Sequence, residues 1–137
     1  MIRPSCLFPA LFLTLAACTG DRTVSAFAEQ GASFRLTELD GRPFAAPATI
    51  SFPAPGLVRG RGPCNSYSAA QKAPYPWFEL GPLRATRRSC PDIAEERRFF
   101  EALAAMRLAE TSGAFLILED ESAARRMFFV SVAPAGR

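Results

Sequence analysis

Cysteine is the residue type in this chain best able to do covalent chemistry, and it stands at Cys6, Cys18, Cys64 and Cys90. Histidine is absent from all 137 residues. Its absence removes Ser-His-Asp and Cys-His nucleophilic constellations, His-containing zinc sites and an imidazole pH switch. Neither Cys64 nor Cys90 lies in a C-x-x-C motif, and no imidazole is available to activate a thiolate. The acidic run Glu119 to Ser122 lacks the ligand spacing and glycine of a calcium loop and reads as a solvated turn. Glu95 and Glu96 are consecutive, so on a helix they diverge by about 100° and cannot flank one glycosidic bond. Gly60 and Gly62 make no phosphate loop, because the lysine and Ser/Thr that must follow are missing. No catalytic set, metal or cofactor is expected.

The first 17 residues carry Arg3, an apolar run from Leu7 to Ala17 and small residues just before Cys18, the layout of a secretory signal peptide. Eleven helical residues reach only ~17 Å, well short of a ~30 Å hydrocarbon core. The stretch Leu15-Ala16-Ala17-Cys18 resembles the bacterial lipoprotein lipobox, which implies a diacylglycerol on the Cys18 thiol and cleavage ahead of it. By the same resemblance, Thr19 in place of Asp favours the outer membrane. Residues 18–32 then read as a lipidated tether, small or polar and without a clear period, and residues 133–137 as a C-terminal tail.

With 49% hydrophobic, 21% charged and 11% aromatic residues, the rest suits one compact domain over residues 33–132. Strand patterns are predicted over Ser33–Leu39 (Phe34, Leu36 and Leu39 inward, then an Asp40-Gly41 turn), Ala48–Phe52, Leu57–Arg61, part of Trp77–Thr86, Ala114–Glu119 and Arg126–Val132. A helix is predicted over Ile93–Arg107, started by an Asp92/Glu95 capping box, with Ile93, Phe99, Phe100, Leu103 and Met106 inward and Glu95, Glu96, Arg97, Arg98 and Glu101 in water. The expected fold is α+β: a curved antiparallel β-sheet, partly closed and barrel-like, packed with one main α-helix. Twelve phenylalanines and Trp77 supply core material.

The order of features, with Gly60–Tyr67 entered by a hairpin, Leu80–Asp92, a helix bearing Glu95–Leu103 and two closing strands, resembles the META domain, also called the HslJ-like family. The specific pieces are Cys64-Asn65 with Tyr67 two positions on, and Thr86 four residues before Cys90. The resemblance implies a small exported sheet-plus-helix domain linked to heat-shock and novobiocin-resistance phenotypes, with no established catalytic activity.

Once Cys6 leaves with the signal and Cys18 takes lipid, Cys64 and Cys90 remain in the domain. In an oxidising compartment they suggest a disulfide; two packed thiols, or a redox or metal role, are the alternatives. Asn65 and Tyr67 either line a ligand groove or hold a loop, and Thr86 is a candidate partner of the same region. All but one of the 16 basic residues are arginine, Lys72 being the exception. Pairs occur at Arg87-Arg88, Arg97-Arg98 and Arg125-Arg126, with Arg59, Arg61 and Arg84 nearby. A patch for anionic lipid headgroups or polysaccharide competes with scattered solvated charge. The resulting expectation is a non-enzymatic monomer of the bacterial envelope, held to the membrane by its N-terminal lipid and facing the periplasm. It would meet an envelope protein or polysaccharide but no nucleic acid, in stress tolerance or envelope maintenance. A small envelope hydrolase or thiol enzyme, or a protease or lysozyme inhibitor, is the competing expectation.

Overall fold

The computed structural model describes residues 19–132. The signal segment, the lipidation candidate Cys18 and the tail at 133–137 lie outside the described residues. Nine strands and one helix follow the chain as β1 (Ser33–Leu39), β2 (Arg42–Pro43), β3 (Thr49–Ala54), β4 (Leu57–Arg61), β5 (Ser66–Ala70), β6 (Arg84–Ala85), α1 (Ile93–Ala105), β7 (Leu108–Ser112), β8 (Phe115–Glu119) and β9 (Arg126–Val132). They form one antiparallel sheet in the order β6-β5-β4-β3-β1-β9-β8-β7, with β2 paired to β1. The sheet is not closed, since β6 and β7 do not pair. The segment after β5 spans the gap: Gln71 bridges Leu80, and Trp77 bridges Leu108 of β7.

In β1 the inward positions change parity, from Phe34 and Leu36 to Leu39. A register shift against β9 between Leu36 and Glu38 absorbs the extra residue and brings Leu39 back to the core side. Asp40 and Gly41 then both take positive φ, 51° and 77°, as a two-residue hairpin turn demands. Phe34, Ile50, Val58, Phe99, Leu103, Met106, Leu116, Leu118, Met127 and Phe129 are fully buried where the concave sheet meets the inward face of α1. Each such side chain contributes about 1.5–3 kcal/mol by leaving water, so Phe34→Ala or Phe129→Ala alone removes about 3–5 kcal/mol once the cavity is included.

Five expectations need correction. Residues 19–32 are not all tether: Val24, Ala28 and Ala32 are buried in the core, a 3₁₀ turn covers Val24–Ala26, and Tyr75 N–H donates to Arg22 C=O at 2.7 Å. Their spacing of four puts three small apolar residues on one side, a pattern too brief to stand out as periodic. Trp77 is 56% exposed, because the alternation of the bridging segment gives the inward place to Phe78. That segment carries Pro74, Pro76 and Pro82, which lack N–H donors, so it makes isolated bridges in place of the strand expected there. The capping box does not form: Asp92 (φ −92°, ψ 21°) lies outside the extended region a cap needs, and Glu95 pairs with Arg98 at 2.8 Å. Glu96, expected in water, is 3% exposed.

Candidate functional site

Cys64 and Cys90 are joined in a disulfide with a Cα–Cα distance of 5.6 Å. It ties the turn between β4 and β5 to the segment leading into α1, three residues before Ile93, and the polar residues singled out in the sequence gather beside it. Glu96 is in register with Phe99 and Leu103 on the inward face of α1, so its carboxylate is carried into the interior. Three N–H groups meet it there. Oε2 accepts from the backbone N–H groups of Cys64 and Asn65, both at 2.7 Å, and Oε1 accepts from Asn65 Nδ2 at 2.5 Å. Gly62 makes the approach possible, since a Cβ there would lie 2.8 Å from Oε2.

Asn65 is engaged on every side. Its Nδ2 also donates to Arg88 C=O at 3.0 Å, while its Oδ1 accepts from Arg88 N–H at 2.6 Å and from the Thr86 hydroxyl at 3.0 Å. An amide side chain offers two donors and one acceptor oxygen, and here all are used. Tyr67, one inward position along β5, packs edge-on against Phe99 and Phe100, with ring centroids 5.7 and 5.4 Å away. Its hydroxyl crosses Gly60 and donates to Thr49 C=O at 2.7 Å; a Cβ on Gly60 would stand 2.6 Å from the Tyr67 hydroxyl oxygen. Burial pushes the Tyr67 phenol well above its ordinary range, so it stays protonated and able to donate.

Asn65, Tyr67 and Thr86 thus come together with the disulfide as a clasp linking β3, β5, the 86–90 segment and α1. Asn65 and Tyr67 turn their polar atoms inward, and only Thr86 reaches an exposed position. The arrangement suits holding, because a buried polar cluster with every group paired fixes one geometry, and the Glu96 oxygens are taken up by three N–H donors. Glu96 was missed as a site residue. A charged residue in phase with an apolar helical stripe is the sequence signal that marks it.

On the opposite side of β5 a shallow depression of about 410 Å³ is lined by Arg59, Ser66, Ser68, Arg84 and Thr86. The acidic run at Glu119–Ser122 is the turn between β8 and β9. Arg125 N–H donates to Asp120, and this bond is the first cause of an Asp120 carboxyl held below its usual range. Among the described residues no three His, Cys, Asp or Glu side chains are grouped to hold a metal, and no helix is long and apolar enough to cross a membrane.

The family model of the META domain matches residues 27–133. The chain belongs to the META domain family. The match begins inside the segment read as tether, consistent with the burial of Ala28 and Ala32. Two solved structures share this META domain's fold. One is a DUF4847 family protein from Bacteroides vulgatus, 16% identical, with a TM-score of 0.62 over 78% of this chain and 96% of that one. The other, from Burkholderia xenovorans, is 17% identical, with a TM-score of 0.61 over 98% of this chain and 99% of that one. A third structure, 23% identical, has a TM-score of 0.57 over 74% of this chain and 89% of that one. None of the curated proteins matches this META domain.

Proposed function

We propose that this META domain is a lipid-anchored recognition module of the bacterial envelope, serving stress tolerance or envelope maintenance by binding, without catalysis. The observation that carries the reading is the engagement of its reactive groups. Cys64 and Cys90 are consumed in one disulfide, a bond that persists in oxidising compartments, and the buried Glu96 carboxylate is saturated by N–H donors. The lipobox ending at Cys18 supports the anchor. Chain packing begins at Arg22, so the lead Thr19–Asp21 spans at most about 11 Å, and an acyl anchor at Cys18 would hold the domain close to the bilayer. Confinement of that kind raises the effective concentration toward a neighbouring envelope ligand.

Intact-mass analysis of the protein extracted from membranes tests this reading. The expected species begins at an acylated Cys18 and gains two hydrogens on reduction. An uncleaved chain in the cell interior, with all four thiols open to alkylation, would overturn it.

A further inference from the structure

Strands β3 to β6 contain three arginines, Arg59, Arg61 and Arg84, and no acidic residue. The register sets two of them in one outward row: Ser51 pairs with Arg59, Arg59 with Ser68, and Ser68 with Arg84. Arg59 and Arg84 therefore flank Ser68 one strand away on each side, about 10 Å apart at their Cα atoms. A second row lies alongside, where Arg61 pairs with Ser66 and Thr86 N–H donates to Ser66 C=O at 3.0 Å. The 410 Å³ depression sits over both rows.

Among the described residues these three arginines have no ion-pair or guanidinium hydrogen-bond partner; the ion pairs belong to Arg98, Arg125 and Arg126, and the guanidinium hydrogen bonds to Arg98, Arg107 and Arg125. Two guanidinium forks around unengaged serine hydroxyls match the tetrahedral anion of a phosphate ester, whose unesterified oxygens take N–H bonds from arginine and further donors from hydroxyls. The volume of about 410 Å³ accommodates one phosphate ester with its attached glycerol or sugar.

We infer that the depression between Arg59 and Arg84 is a phosphate-ester site, with Ser66 and Ser68 as hydroxyl donors. This deepens, and rests on, the recognition-module reading by naming its ligand chemistry. The ester is carried either on a soluble molecule or on an anionic lipid headgroup.

The test uses the full chain in zwitterionic detergent, titrated with glycerol 3-phosphate and followed by amide NMR. A parallel arm measures its binding to phosphatidylcholine vesicles with and without phosphatidylglycerol. Saturable shifts are expected on β4, β5 and the 84–86 segment, weakened about tenfold or more in R59Q/R84Q and unchanged in R42Q/R97Q, which loses the same charge elsewhere. A phosphatidylglycerol-dependent gain that R59Q/R84Q abolishes identifies the lipid headgroup as the source; saturation by glycerol 3-phosphate without that gain identifies a soluble ester. No saturable binding in either arm, or equal losses in R59Q/R84Q and R42Q/R97Q, overturns the site. An unacylated protein that still binds glycerol 3-phosphate removes the anchor and leaves the site standing, so the two failures are distinguishable.

Discussion

The two faces of β5 carry polar groups in opposite conditions. On the inner face Tyr67 and the adjoining Asn65 have partners for their polar side-chain atoms, down to the Thr49 carbonyl and the Glu96 carboxylate. On the outer face Ser66, Ser68, Arg59 and Arg84 surround a depression and pair with no carboxylate among the described residues. Asn65 and Tyr67, on which the sequence resemblance rests, are therefore part of the scaffold, and the groups available to a ligand are their alternating neighbours. Inner groups left without partners cost stability, whereas the outer ones rest in water at little cost until an anion arrives.

That contrast gives a graded set of expectations. Glu96→Ala strands three N–H donors in the interior and should cost about 4 kcal/mol in urea unfolding; the exposed Glu95→Ala should cost about 0.5 kcal/mol or less. Equal effects at the two positions would break the distinction between inner and outer polar groups. Replacing both Cys64 and Cys90 by Ser opens a loop of sequence separation 26 and should remove about 3.5 kcal/mol, read as a lower Tm matched by wild type in reductant.

Tyr67→Phe loses one buried hydrogen bond, about 1 kcal/mol at neutral pH. Its pH dependence sharpens the point. The folded phenol titrates above its unfolded value, so its contribution is complete below about pH 10 and disappears as pH rises beyond that. Wild type should lose up to about 1.4 kcal/mol per pH unit there from this group, and the Phe variant should show a shallower decline. The smallest effect belongs outside: R59Q/R84Q should leave stability within about 0.5 kcal/mol while weakening anion binding.

Much of the scaffold was legible in the chain. β1, β4 and β9 fall on the expected residues because Phe, Leu and Val alternate there with polar side chains, and the Asp40-Gly41 turn follows from its residue types. β5 was hidden, since Ser-Tyr-Ser-Ala-Ala lacks the bulky β-branched residues that announce a strand, and Leu108–Ser112 of β7 was hidden for the same reason. Without β5 no register linked Arg59 to Arg84, so arginines far apart in sequence read as scattered charge. The disulfide pairing followed from cysteine arithmetic. Glu96 did not follow, because its charge assigns it to the wet face with Glu95, Arg97, Arg98 and Glu101, although its phase on the helix is that of Phe99 and Leu103.

The role of Glu96 is open to one direct reading, amide hydrogen exchange at Cys64 and Asn65. Both N–H groups donate to the Glu96 carboxylate. If the clasp is the internal anchor described here, both should exchange as slowly as strand amides at Val58 and Leu116, and should become fast in Glu96→Ala. Exchange in the wild type as rapid as at the exposed Ser122–Ala124 turn would contradict it.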